Sequence, residues 1–169
     1  MRLAAAFLAA LIAAAPASAA WQTKIEKNPA GVETALMFAP IGNAAVFVLT
    51  CAKDHYRMIE IRFAAANLVK ELPKLNAAGS ARVTITLDTG EVFTSTGVWQ
   101  DIGNGLLGLA YANFYDTRAL AGAIGYATKE VTVAYDVDAL NLHEKMALDA
   151  VGAADAAKAF LDICPLKSG

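Results

Sequence analysis

The chain has only two cysteines, Cys51 and Cys164, and they follow an N-terminal segment typical of an exported protein. An even number of cysteines in an exported chain indicates a disulfide wherever the compartment is oxidising. Closing so long a loop stabilises the fold by about 4–5 kcal/mol in the chain-entropy model. The alternatives are two free buried thiols or a catalytic cysteine, which needs a basic partner. The cysteine pair therefore predicts a fold in which an early element and a late element meet.

The N-terminal segment predicts where the protein works. A cationic start, an apolar run and a small-residue cleavage site at Ala19 give residues 1–19 the layout of a cleaved secretory signal peptide. Cleavage after Ala20 is the close alternative. The apolar run is shorter than the roughly 20 residues that a membrane-spanning helix needs, and no longer run follows it. We expect a periplasmic or secreted protein, with residues 20–169 forming a single domain and no transmembrane segment after cleavage.

The charges of the chain narrow the class of partner. Lys and Arg number 14 and Asp and Glu number 16, giving a net charge of −2, and both signs are scattered along the chain. A nucleic-acid-binding protein or a membrane-surface helix would show a cluster of basic residues. We therefore expect no nucleic-acid partner, and another envelope or secreted protein is the expected partner.

The alternation of apolar and polar residues predicts a β-rich fold. We predict strands at residues 21–26, 33–39, 44–52, 55–63, 82–87, 91–99 and 130–137, a continuation of this pattern at 145–148, and helices within 114–126 and at 153–163. Residues 67–75 are ambiguous, because Pro73 would end a helix there. The predicted class is α+β: an antiparallel β-sheet or partial sandwich packed by two helices. One disulfide would tie the C-terminal helix to an early strand.

The triplet Asp88-Thr89-Gly90 is the motif of aspartic proteases, and it follows an apolar strand as in that family. The chemistry needs two aspartates that share a proton, so this chain would have to dimerise. Glu91 stands where the family usually has a small residue. Asp, Thr and Gly are also the ordinary residues of a hairpin turn, which is the interpretation that we favour. We expect an exposed turn and no catalytic residue.

The segment Gly103–Gly108 matches G-x-G-x-x-G, a pattern whose glycines let the backbone approach a pyrophosphate at the start of a helix. The strand before it is too polar for a sheet buried between helices. Asp136, the candidate ribose-binding acid, lies 28 residues beyond Gly108, whereas the fingerprint places it at roughly 20. A flexible glycine loop explains the segment better, and we expect no cofactor.

Candidate metal ligands are sparse. His55 and His143 are the only histidines, and each could join a neighbouring carboxylate if the fold brought them together. Asp136 and Asp138 would share one face of a strand, but a third oxygen ligand is not evident. Each of these side chains is also an ordinary solvated residue, so we predict no metal site.

The overall layout resembles that of known small exported disulfide proteins. The shared features are Trp21 soon after the signal, a strand that ends in Leu49-Thr50-Cys51, a hairpin over 83–90 followed by Trp99, and a terminal helix that ends in Cys164. This layout is similar to the type VI secretion accessory (VasI-like) proteins and to the invasion-associated locus B family. The resemblance covers most of the chain after the signal. It implies a β-rich periplasmic accessory or binding protein and carries no catalytic residues across.

The predicted function is that of a non-enzymatic periplasmic protein which acts through a protein-binding or ligand-binding surface. The alternatives are a periplasmic hydrolase that uses the Asp88 turn and a structural component of the envelope. A binding protein predicts an exposed apolar or aromatic patch, whereas a hydrolase predicts a pocket with converging titratable groups. Six aromatic residues could line a ligand groove, although core packing is their default role: Trp21, Trp99, Tyr111, Phe114, Tyr115 and Tyr126.

Overall fold

A computed structural model describes residues 21–27, 31–52, 57–64, 69–111 and 117–164. The predicted signal peptide, His55, Phe114 and Tyr115 lie outside these ranges. The strands are β1 (Gln22–Lys27), β2 (Glu33–Ile41), β3 (Ala45–Ala52), β4 (Arg57–Ala64), β5 (Ala81–Leu87), β6 (Val92–Gly103), β7 (Leu106–Tyr111), β8 (Glu130–Val137) and β9 (Leu142–Asp149). The helices are α1 (Leu72–Ala77), α2 (Thr117–Gly125) and α3 (Ala153–Ile163), and a 3-10 turn spans Asp138–Leu140.

The nine strands form one antiparallel sheet in the order β1-β2-β3-β4-β7-β6-β5-β8-β9. The long strand β6 holds the sheet together, because its first part pairs with β5 and its second part with β7. Gly97 marks the change, since it lies opposite Ala81 in β5 and opposite Tyr111 in β7. The sheet curls into a half-barrel.

The two edge strands of the curled sheet, β1 and β9, are linked through Trp21, which directly precedes β1. The backbone N–H of Trp21 donates to the carbonyl of Val151, and its indole N–H donates to the carbonyl of Asp149, both at 2.9 Å. These two bonds join the start of β1 to the end of β9. Strand β9 also approaches β2.

The concave face of the sheet is filled by helices α2 and α3. Leu120 and Ile124 of α2 and Phe160 of α3 are fully buried in the main apolar core. Gly125 lets the two helices approach closely, since a Cβ atom there would lie only 2.8 Å from the Cβ of Ala157. Burial of a side chain as large as Phe160 stabilises a fold by about 1.5–3 kcal/mol, so α3 belongs to the core.

The predicted disulfide is present. Cys51 in β3 and Cys164 at the end of α3 are bonded, with their Cα atoms 6.3 Å apart and a sequence separation of 113. Both cysteines are buried, which suits a structural bond. The bond ties the last helix to β3, an interior strand of the sheet.

The α+β class and the antiparallel sheet are confirmed, and the helices differ in detail from the prediction. The structure holds three helices in its described residues, and the two predicted ones correspond to α2 and α3. The third, α1, lies in the segment that Pro73 made ambiguous; Pro73 occupies the first turn, where a missing N–H costs nothing. Among the described helices, none has the length and apolar character needed to cross a membrane.

Candidate functional site

Asp88 lies in the exposed turn between β5 and β6, and its carboxylate accepts hydrogen bonds from a distant part of the chain. It accepts hydrogen bonds from the hydroxyl of Thr128 at 2.7 Å, from the N–H of Lys129 at 2.7 Å and from the N–H of Thr128 at 3.1 Å. The Thr128 hydroxyl, followed by these two N–H groups, lowers the pKa of Asp88 below its ordinary value. The residue therefore fastens the hairpin to the connection between α2 and β8.

The same connection is fastened to a third turn. The N–H of Ala150 donates to the carbonyl of Lys129 at 3.0 Å, which joins this turn to the connection. Within the turn itself, the N–H of Val151 donates to the carboxylate of Asp149 at 2.9 Å. Three turns distant in sequence thus form one continuous surface. We call the surface made of residues 88–92, 126–130 and 149–155 the turn platform.

The turn platform exposes large apolar side chains. Five large hydrophobic residues are exposed among the described residues, and three of them lie on the platform: Val92 at 60%, Tyr126 at 76% and Val151 at 60%. Gly125, which precedes Tyr126, approaches the first turn of α3, since a Cβ on it would lie 3.9 Å from the Cα of Ala154. Ala154 is itself exposed. Tyr126, Ala154 and Val151 therefore belong to one neighbourhood on the surface.

The glycines of the Gly103–Gly108 segment have two structural roles. Gly103, Asn104 and Gly105 all have positive φ values, of 87°, 55° and 74°, and they form the hairpin turn between β6 and β7. Gly108 lies within β7, where a Cβ would come within 3.1 Å of Ile102 and 3.3 Å of Gln100. A strand follows the turn, where a dinucleotide site would need a helix.

Gly108 makes room for a buried polar cluster on the outer face of the sheet. Glu60 is only 1% exposed, and it accepts a hydrogen bond from the Nε of Arg62 at 2.6 Å. Gln100 crosses β7 beside Gly108 and donates to the other carboxylate oxygen of Glu60 at 2.7 Å. Each oxygen of the buried Glu60 carboxylate thus accepts a hydrogen bond from a neighbouring side chain.

A second polar cluster joins strands β5, β8 and β9, also on the outer face of the sheet. Asp136 in β8 contacts the Nδ1 of His143 in β9 at 2.9 Å and the Nε of Arg82 in β5 at 3.5 Å. The hydrogen bond with His143, then the positive charge of Arg82, lowers the pKa of Asp136. His143 thus pairs with Asp136, and Asp138 begins the following 3-10 turn. Within the described ranges, no group of three or more His, Cys, Asp or Glu residues could hold a metal ion.

Three aromatic rings pack together at one end of the concave face. Phe63, Trp99 and Tyr135 have ring centroids 5.7–5.9 Å apart, mostly in edge-to-face contacts. Burial, assisted by the negative charge of Glu144, raises the pKa of Tyr135 to about 12. Trp99 Nε1 is buried and no described residue accepts its proton. Trp99 and Trp21 are core residues, whereas Tyr126 is on the surface.

Sequence reasoning identified Asp88 and Tyr126 individually but did not bring them together. The turn platform depends on pairing between β5 and β8 and on packing of α2 against α3, and neither contact is local in sequence. The sequence signal that could have indicated an exposed apolar residue on a turn is an apolar residue directly beside a turn residue, as at Val151-Gly152. Comparisons with protein-family models, curated proteins and solved structures find no match for this chain.

Proposed function

We propose that the chain is a non-enzymatic binding or accessory protein of the periplasm or the extracellular medium, and that the turn platform is its protein-binding surface. The observation that carries the proposal is the exposure of Tyr126, Val151 and Val92 on turns that hydrogen bonds hold together. Tyrosine is enriched in protein interfaces, because it offers a large contact area at a low cost in conformational entropy. A preorganised backbone also lowers the entropic cost of binding.

The state of Asp88 favours this role over the aspartic-peptidase alternative. An aspartic peptidase requires one aspartate of its pair to hold a proton. Here three hydrogen-bond donors stabilise the charged form of Asp88 and lower its pKa. That arrangement suits a fixed structural acceptor.

Export belongs to the same proposal. The signal-like residues 1–19 motivate it, and the disulfide between Cys51 and Cys164 is consistent with an oxidising compartment. The layout resemblance to the VasI-like and locus B proteins implies an accessory role of the same kind.

Site-specific photo-crosslinking in the native host tests the proposal. A photoreactive amino acid is placed at Tyr126, at Val151 and, as a matched exposed control on the outer face of β6, at Thr96. We expect one discrete cross-linked species from positions 126 and 151 and none from position 96. Equal cross-linking from all three positions, or none from the platform, would contradict the proposal and favour a structural envelope component.

A further inference from the structure

We infer that the partner of the turn platform is a basic protein segment that carries apolar residues beside its Lys or Arg side chains. This inference rests on the proposed function, since it assigns a chemical class to the partner of that surface. The first observation behind it is that negative charge is concentrated on the platform.

Five carboxylates and one lysine lie on the turn platform. The acids are Asp88, Glu91, Glu130, Asp149 and Asp155, and the base is Lys129. Five negative charges against one positive charge give the platform a net charge of −4, whereas the whole chain carries −2. The rest of the chain therefore has a net charge of +2, and the negative charge is concentrated on this surface.

The described contacts leave this negative charge uncompensated. The carboxylates accept hydrogen bonds from neutral groups: Asp88 from Thr128, Glu130 from Thr132, and Glu91 from Thr89. Within the described ranges, no ion pair joins any of the five carboxylates to a cation. Concentrated like charge destabilises a compact state by self-repulsion. A partner of opposite charge would offset this repulsion on binding.

The apolar side chains of the platform restrict the partner further. In sequence, exposed Tyr126 is four residues from Glu130, exposed Val151 is two residues from Asp149, and exposed Val92 follows Glu91 directly. A purely basic partner would leave these apolar side chains in water. A segment with apolar residues beside its cations would cover them, and an Arg or Lys could also contact the face of the Tyr126 ring. Opposite charge would raise the association rate, and apolar contact would slow dissociation.

The same charge argues against a symmetric pair of platforms. Two copies facing each other through this surface would bring charges of −4 and −4 together, which costs free energy. Self-association through the platform is consequently an outcome that the test must detect.

The experiment measures binding of labelled peptides to the disulfide-bonded protein by fluorescence anisotropy. The probe is a 14-residue peptide of alternating lysine and leucine. One comparison peptide has glutamate in place of lysine, and another has serine in place of leucine. We expect binding of the lysine–leucine peptide at least tenfold tighter than that of either comparison peptide, with an affinity that falls as salt is raised.

Two variants with equal changes in net charge separate a local effect from a general one. The first neutralises the platform by E91Q, E130Q and D155N, and the matched control neutralises exposed acids elsewhere by E71Q, E144Q and D162N. We expect at least a tenfold loss of affinity in the first variant and less than a twofold change in the control. Equal losses in both variants would overturn the inference, as would full binding of the lysine–serine peptide.

Other outcomes keep this inference distinct from the proposed function. If positions 126 and 151 cross-link to a partner in cells and the platform-neutral variant cross-links equally well, the binding surface stands and the basic partner is wrong. Dimerisation by wild type that the platform-neutral variant strengthens would also overturn the inference, because the occupant would then be a second copy. A Y126S variant that binds the lysine–leucine peptide as tightly as wild type would remove the apolar part of the claim.

Discussion

The two sides of the half-barrel differ in how their strands are buried, although both sides are antiparallel and both pair with β6. In the apolar region, made of β2, β3, β4 and β7, strand β3 is buried at all eight positions. In the alternating region, made of β5, β8 and β9, strand β5 buries every second residue. A strand buried on both faces has an apolar side chain at nearly every position, and a strand with one wet face alternates. The outer face is therefore buried in the apolar region and partly exposed to water in the alternating region.

On the outer face of the apolar region, side chains of the sheet pack against one another. Phe38, Val46, Val48 and Leu106 form a second apolar cluster there, and its members are strand residues. The buried apolar side chains of the three described helices belong to the concave core instead. Glu60 lies beside this cluster, since it is paired with Val48 across the sheet. A buried ion pair is therefore part of what closes this face.

The alternating region places its charges in water. Arg82, Asp136 and His143 form a ladder across three strands on the outer face, and Arg82 and His143 are more than half exposed. Exposed ion pairs contribute little to stability, because water and salt screen them. Polar contacts should thus matter much more in the apolar region than in the alternating region, and the following variants test that difference.

The largest effect is expected from the disulfide, which anchors the apolar region to α3. Replacing both Cys51 and Cys164 with serine should lower the free energy of unfolding by about 4–5 kcal/mol, because the bond closes a loop of more than 100 residues in the unfolded chain. Urea denaturation of the variant beside wild type, each with and without reductant, measures the loss. Reductant should destabilise wild type and leave the variant unchanged. A loss below about 1 kcal/mol would show that α3 is held by packing alone.

The second effect compares an ion pair from each region. E60A leaves the charge of Arg62 without its buried partner, so it should cost about 3–5 kcal/mol. The double variant E60L/R62L should recover much of that loss, since apolar replacement of a buried pair is often neutral. D136A removes an exposed ladder and should change the urea midpoint little. Equal losses from E60A and D136A would erase the distinction between the regions.

Local pattern was enough to predict most strands, and the even number of cysteines in an exported chain predicted the disulfide, but neither predicted the elements that depend on distant partners. The alternation of apolar and polar residues predicted that Val83, Ile85 and Leu87 share one face of a strand, and the structure confirms that all three are buried. Strand β7 escaped prediction, because it is short, contains Gly108 and follows three residues with positive φ. Its identity as a strand comes from β4 and β6 on either side.

The turn platform shows the same limit at the candidate site. Its turn at Asp88-Thr89-Gly90 is recognisable from the residue types in the sequence. The bonds between the turns are not, because Asp88 reaches Thr128 across 40 positions of the chain. Local propensity predicts that a turn exists, whereas the sheet topology decides which turns are neighbours.

The third effect tests the junction between the two regions. A Cβ at Gly97 would lie 2.8 Å from the Cδ1 of Leu109, closer than real Cβ contacts allow. G97A should therefore destabilise the fold by about 1–3 kcal/mol through overpacking. The control is G122A in α2, where the nearest atom would be 4.0 Å away. That change should be neutral or stabilise by up to about 1 kcal/mol, as Ala favours helix. Thermal or urea unfolding of both variants measures the contrast, and a tolerated G97A would mean that β6 can shift at the junction.

The smallest effect is a pH dependence that belongs to the alternating region and the turn platform. The pKa of Asp88 is lower in the folded protein than the ordinary value of 3.8, because the Thr128 hydroxyl and two N–H groups favour its charged form. The unfolded chain therefore binds a proton at higher pH than the folded protein does. The stabilisation by Asp88 is fully present above the unfolded pKa and is lost as the pH falls below it, through the lower folded value.

The measurement is the free energy of unfolding of wild type, D88N and D136N at a series of pH values from 6 down to 2. Wild type should lose stability as the pH falls below about 4, and D88N should start less stable and lose less on acidification. Asp136 also has a lowered pKa, so D136N should flatten the curve independently. His143 contacts Asp136. The variant H143Q is therefore the control, since it should alter the contribution of Asp136 to the pH dependence and leave that of Asp88 unchanged. If D88N follows the wild-type curve throughout, the bonds from Thr128 and Lys129 do not hold the platform together in solution, and the preorganisation that supports its binding role is lost.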